Sequence, residues 1–384
     1  MSPTPIFLDA NSTTPLRPEA FEAMRPALLD AYGNPASAHA HGRQARRYLE
    51  ESRELVAALL GAHPEEVVFT SGATEANNLA LFGLAESWQS PGHVVTSMLE
   101  HPCVVEPARQ LAARGHAVTW LPATSAGAID VGTLLGAVTP TTKLVALMLV
   151  NGETGCVQPI AEVARRLPAG VALHCDAAQA VGKIPVNFKA LGVTTMSVSG
   201  HKFGGPKGVG VLVVKHGTPL KPQVFGGHQQ HGQRPGTEPV ALAVGLAKAL
   251  EVAVREMASD HARRVELKRR FLGALLSQVP TLVVNGDGLP TTLNVSFPGC
   301  RADLLLMSLD LAGVSCSTGS ACSSGSLLPS PVLQAMGVPD GVLRSALRFS
   351  FPATLTDGEI NDAAARVVGL TRVACGGAVE CRHA

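Results

Sequence analysis

Between about residues 50 and 215 the chain switches repeatedly between two hydrophobic periods, and this alternation restricts the fold more than any other feature. EEVVFT is followed by ATEANNLALFGLAESW, HVVTSML by VVEPARQLAARG, KLVALMLV by IAEVARRL, and VALHCD by AAQAVG. The short β-branched runs read as strands and the longer patterns between them as helices. Such an order predicts an α/β fold, a mostly parallel sheet with helices on both faces. Ligands of that architecture collect beyond the carboxyl ends of the strands, so the polar residues just after each strand carry the functional information.

From Thr237 onward, TEPVALAVGLAKALEVAVREMASDHARRVELKRRFLGALL reads as one long helix, with Thr237 as cap and Glu238 as first-turn acid. It bridges to a smaller α+β unit built from TLVVNG, TTLNVSF, ADLLLMSLDLAG, LRFSF and a last helix. We therefore expect a large domain over residues 15–255 and a small one made of 1–14 and 256–384. The small one carries a Ser/Gly-rich loop, CSTGSACSSGSLLPSP, at about 316–331. A hydrophobic content of 46% fits well-filled cores.

Charge and cysteine usage exclude several classes. Thirty-one basic and 30 acidic residues leave a formal charge of +1, which points away from nucleic acid and from membrane surfaces. The longest apolar run, Leu144 to Val150, is too short to span a bilayer, and MSPTPIFLDANS has no leader pattern, so a cytoplasmic protein is expected. Eight cysteines without CxxC spacing argue against a structural metal and a disulfide framework, leaving reduced thiols as the expectation.

The strand-end residues can then be taken in turn. In SGHKFGGPKGVG, Lys202 stands in a tight turn between two buried strands, where an ammonium is costly and easily deprotonated; it is a misplaced surface residue or a nucleophile. SGATEANN, with Ala73 and Thr74, is either an ordinary βα turn or an anion cradle at a helix amino terminus. Asp176 ends VALHCD and is a helix cap or the partner of a ring nitrogen, with Gln179 close behind. His101 follows HVVTSMLE and can stack on a flat ring or move protons. Asn151 opens NGETG, where asparagine is common in any glycine turn. Arg348 in SALRFSF points to one face of a strand, for a structural ion pair or a bidentate grip on a carboxylate. Cys322 sits inside the Ser/Gly loop, by chance or as a thiol that travels. Together these supply a phosphate cradle, an acid for a ring nitrogen, an amine for an imine and an arginine for a carboxylate. That set matches pyridoxal 5'-phosphate.

LDANSTTPLRPE, YGNPASAH, TSGATEANN, EHPCV, VNGETG, HCDAAQAVGK, SGHKFGGPKGVG, RPGTEPV, STGSACSSGS and LRFS, in this order, resemble the cysteine desulfurases. These are pyridoxal-phosphate enzymes of the class V aminotransferase family that feed sulfur to iron–sulfur cluster assembly. The resemblance implies the type I fold of pyridoxal-phosphate transferases and, with the long Ser/Gly loop, the extended-cysteine-loop branch. It implies that Lys202 binds the cofactor as an imine, Asp176 pairs with the pyridine nitrogen, Gln179 bonds the ring hydroxyl and His101 stacks on the ring. Ala73, Thr74, Ser199 and His201 would hold the phosphate, and Thr237 would reach the phosphate of a neighbouring subunit in a homodimer. Asn151 and Arg348 would bind L-cysteine, Asn34 would line the same pocket, and Cys322 would accept the sulfur as a persulfide before passing it to an iron–sulfur scaffold or a sulfurtransferase. The alternative is a selenocysteine or cystine lyase on the same fold. The chain departs from the family pattern at Gly152, at His228 and Gln230, and at Phe351-Pro352.

Overall fold

The computed structural model describes residues 4–319 and 329–380, with side chains as far as 373; Cys322 lies outside the described residues. Its strands are β1 (Ile6–Phe7), β2 (Val67–Thr70), β3 (His93–Ser97), β4 (Ala117–Leu121), β5 (Thr142–Met148), β6 (Ala172–Asp176), β7 (Thr195–Ser199), β8 (Gly210–Val214), β9 (Val283–Val284), β10 (Thr292–Ser296), β11 (Val314–Ser315) and β12 (Ala346–Ser350). Seven of them form one sheet in the order β2-β8-β7-β6-β5-β3-β4. Its β7-β6-β5-β3-β4 stretch is parallel throughout, and β8 pairs antiparallel with both β2 and β7. Every strand except β8 therefore ends at one edge. The α/β class expected from the alternation is the class observed.

Side chains along the central strands alternate between two apolar layers. Val145 and Leu147 of β5 pack in one layer, Leu144 and Ala146 in the other; β8 divides in the same way. The second layer lies under the helix Ala73–Ala85, which brings Leu79, Ala80 and Leu84 to it. A separate cluster, centred on Phe271, Phe349 and Phe351 with ring centroids 4.9 and 5.7 Å apart, is built on the antiparallel sheet β12-β10-β9. The helix Val240–Gln278 runs from one cluster into the other: Leu246 and Leu250 belong to the first, Leu267 and Leu275 to the second. Val332, Leu333 and Met336, though late in the chain, pack with the first.

Two local expectations are corrected. The long helix begins at Val240 behind Pro239, which makes no side-chain cap, so Thr237 does not open it. Proline forces the residue before it out of helical geometry, and Glu238 cannot enter the first turn. Cys300 is disulfide-bonded, so the expectation of reduced thiols fails there. Cys103, Cys156, Cys175 and Cys316 are free. Among the described residues no helix is long and apolar enough to cross a membrane.

Candidate active site

The shared edge of the sheet opens onto a cavity of about 1050 Å³. Ala73, Thr74, His101, Asn151, Asp176, Gln179, Ser199, His201, Lys202 and Arg348 all line it, although 275 positions separate the first from the last. Asn34 and Thr237 do not; with Tyr32, Pro35 and Glu238 they line a second cavity of about 340 Å³.

Lys202 closes a single 3-10 turn, Gly200–Lys202, that leaves β7. The turn doubles back so tightly that a Cβ at Gly205 would stand 2.8 Å from the Gly200 carbonyl oxygen. Lys202 Nζ donates to the carbonyls of Asn11 (2.6 Å) and Ser12 (2.9 Å). Those carbonyls belong to LDANST, which follows β1. Gln179 Nε2 donates to the same Asn11 oxygen (2.9 Å), and its Oε1 accepts from Lys183 Nζ. Lys183 also donates to Asn11 Oδ1 at 2.9 Å. Its burial, with Lys202, Arg264 and Arg348 nearby, holds this amine well below the usual lysine range.

Asp176 ends β6. Its Oδ1 accepts from the Ala178 amide (2.9 Å) and its Oδ2 from Asn77 Nδ2 (2.8 Å). His101 caps the helix Pro102–Ala113 by accepting the Cys103 amide at Nδ1. Burial lowers its pKa against the pull of Asp176, and Lys202 adds to the lowering, so the ring is neutral at neutral pH. At the cavity end beside Ser199, the loop Ser71-Gly72 enters the amino terminus of the helix Ala73–Ala85. A Cβ at Gly210 would stand 2.6 Å from Gly72 Cα, so glycine is required where β8 starts beneath this loop. His201 bonds Thr13 Oγ1 (3.1 Å), and burial with Lys202 and Lys207 lowers it to about 4. Hydroxyls, helix amides and Lys207 make this end of the cavity a seat for an anion.

Arg348 enters from β12. It donates to Asp9 Oδ1 (2.7 Å), Ser12 Oγ (2.9 Å) and the Gly152 carbonyl (3.3 Å), while its buried Nε has no hydrogen-bond partner. Asn151 borders the cavity with its amide engaged: Oδ1 accepts from the Glu153 and Thr154 amides, and Nδ2 donates to the Leu99 carbonyl. The side chain thus holds the NGETG turn in shape.

Sequence reasoning missed Asn11, Lys183, Asn77 and Glu100. Lys183 stood four residues after Gln179 in a quoted motif, and Asn11 lay in LDANST; nothing in either stretch says that the two meet. Gln230, noted only as a departure, is structural: its Oε1 accepts from Arg53 (3.0 Å) and from the Phe69 amide of β2 (2.8 Å). Glu100 is buried at the end of β3, with Oε1 accepting from Ser97 (2.6 Å) and the Met148 amide (3.1 Å) and Oε2 unpartnered. Burial pushes its pKa up to about 8. The folded chain therefore keeps a proton that the unfolded chain releases near 4.5, so raising the pH across that window costs stability. Glu100→Gln is expected to flatten this slope, melting above the wild type at pH 8 and converging with it near pH 5; calorimetry across that range checks it.

The donor set fits a flat ring that bears a phosphate, an aldehyde and a basic nitrogen: an anion seat, a carboxylate, an amine and an arginine all line one cavity. The chain belongs to the aminotransferase class-V family, whose model matches residues 6–362. Members of this family depend on pyridoxal phosphate, which is the cofactor here. The chain is 41% identical over 361 residues to the cysteine desulfurase IscS of Dictyoglomus turgidum, covering 93% of this chain and 92% of that one. Among solved structures, a NifS-like protein superposes with a TM-score of 0.91 at 33% identity, covering 96% of this chain and all of the other. SspA in complex with cysteine superposes at 0.80, also at 33% identity, covering 91% of this chain and 99% of that one.

Proposed function

We propose that this chain is a cysteine desulfurase that converts L-cysteine to L-alanine and moves the sulfur onto Cys322 as a persulfide. The observation that carries the reading is the meeting of Lys202, Asp176 and Arg348 in one cavity of a chain 41% identical to a cysteine desulfurase. When bound, pyridoxal phosphate supplies an electron sink that weakens bonds at the amino acid's carbons.

The chain's own residues do the rest. Lys202 would hold the cofactor's aldehyde and move a proton at the substrate α-carbon. Asp176 would hold positive charge on the ring nitrogen, Gln179 would bond the ring hydroxyl, and His101 would stack on the ring and accept a proton. Ala73, Thr74, Ser199 and His201 seat the phosphate. Arg348 would take the substrate carboxylate with its planar guanidinium. As the Cys322 thiolate bonds the substrate sulfur, the carbon–sulfur bond breaks with both electrons going to carbon, which is protonated to give alanine. Asn151 shapes the substrate side, and Asn34, beside Thr237 in the second cavity, would reach the site of the neighbouring subunit.

The working unit is a homodimer in which Thr237 completes the partner's phosphate seat. Its position outside its own chain's main cavity supports this, as do the exposed apolar side chains of Leu28 and Tyr32, which line the second cavity with it. The persulfide passes to an iron–sulfur scaffold or a sulfurtransferase in the cytoplasm. Incubation with cysteine, followed by peptide mass spectrometry, should locate an added sulfur on Cys322, with alanine released. Cys322→Ser should lower alanine formation by at least about 100-fold. Full retained activity would exclude this mechanism and leave a lyase acting on selenocysteine or cystine.

A further inference from the structure

Behind Asp176 runs a line of polar side chains that has no place in an apolar layer unless it serves something. Asn77, on the helix Ala73–Ala85, His174 on β6 and Thr195 on β7 are all wholly buried, and none lines the cavity. Thr195 Oγ1 lies 2.8 Å from His174 Nδ1, His174 Nε2 lies 2.8 Å from Asn77 Oδ1, and Asn77 Nδ2 lies 2.8 Å from Asp176 Oδ2. The chemistry of the groups sets the direction of every bond. A carboxylate only accepts, so Asn77 presents its NH₂ to Asp176 and its carbonyl to His174. His174 must then carry its hydrogen on Nε2, leaving Nδ1 to accept from the Thr195 hydroxyl. All three bonds point toward Asp176. Burial lowers His174 to about 4, so this arrangement persists at neutral pH.

Three desolvated polar side chains are costly where leucine or valine would pack, and the cost is offset only if every bond is made. The line ends on the one carboxylate of the cavity that Ala178 and Asn77 fix from two sides. We propose that Asn77, His174 and Thr195 form a positioning line that aims Asp176 at the cofactor's ring nitrogen, Asn77 by contact and the other two through it. The titratable groups around Asp176 are Glu100 beyond β3, His101 and Cys103 from the helix Pro102–Ala113, His174 and Cys175 on its own strand, and Lys202.

This inference rests on the placement of the ring against Asp176, and the test separates the two. Wild-type protein stripped of cofactor must rebind pyridoxal phosphate; failure there sinks the functional reading itself. Asn77→Leu, similar in volume and without a donor, should rebind it about tenfold more weakly. The pH midpoint of the bound cofactor's visible absorbance should rise by about one unit, because a less fixed Asp176 stabilises positive charge on the ring nitrogen less. Thr195→Val removes only the far end of the line, on a strand that favours valine, and should shift the midpoint the same way by a smaller amount. A folded Asn77→Leu with wild-type affinity and titration overturns the proposal. Where Asn77→Leu does not fold, Thr195→Val decides: a raised midpoint supports the line and a wild-type midpoint overturns it.

Discussion

Replacing Lys202 with alanine is expected to leave a folded protein that takes up pyridoxal phosphate only reversibly and loses at least about 10⁴-fold of its alanine-forming activity. The amine has two duties, holding the aldehyde and moving a proton, and alanine can do neither. Folding should survive, because two of the groups that hold Lys202 Nζ are main-chain carbonyls, which carry no charge to be left unpaired. Borohydride reduction followed by peptide mapping gives the decisive reading: wild-type protein should carry the reduced cofactor on Lys202, and the variant should carry none. A label on Lys183 in the wild type would contradict the assignment, since that buried amine is the nearest competitor.

The second large effect is expected at Arg348. Arg348→Met should lower kcat/KM for cysteine by about 100-fold or more, mainly through KM, because the substrate carboxylate loses its bidentate partner. The same change leaves Asp9 without the cation 2.7 Å from its Oδ1, in a pair whose side chains are 3% and 18% exposed, and should cost about 3 kcal/mol of stability. The two losses are separable. Arg348→Lys retains a charge beside Asp9 but not the planar fork, so it should recover most of the stability and little of the activity. Asp9→Asn combined with Arg348→Met should recover part of the stability and none of the turnover. Urea unfolding and steady-state kinetics on the same preparations test both statements, and equal recovery of both properties in Arg348→Lys would argue against carboxylate recognition.

Much of this site could be read from the chain because each residue follows a strand, and parallel strands bring their ends to one edge. That rule picks out Thr74, His101, Asn151, Asp176 and Lys202 as candidates, each with a structural alternative, and all five line the cavity. What could not be read is whatever depends on contacts across the chain. Asn11 is an unremarked polar residue in LDANST until its amide is seen on Ser350 Oγ, 339 positions away. Lys183 looks like a surface residue at the end of AAQAVGK and is instead buried against Asn11 and Gln179. Glu100 and His101 are neighbours in sequence with opposite surroundings, one facing into the sheet and one capping a helix. The long helix was placed in the right region with the wrong start, since threonine and glutamate carry a familiar cap pattern that Pro239 overrides. Thr237 and Asn34 sit together in a second cavity, a pairing that no local pattern announces.

The carbonyls that meet Lys202 come from residues 11 and 12, and that stretch is held in place by the opposite end of the polypeptide: Leu8 by Ser315, Asn11 by Ser350, and Asp9 by Arg348. The same stretch is bonded to the central-sheet unit through Gln179, Lys183 and Gly152, so it ties the two cores together at the cavity. The central sheet alone thus carries the groups assigned to the cofactor, whereas the cation assigned to the substrate carboxylate is in place only once β12 has paired with β10.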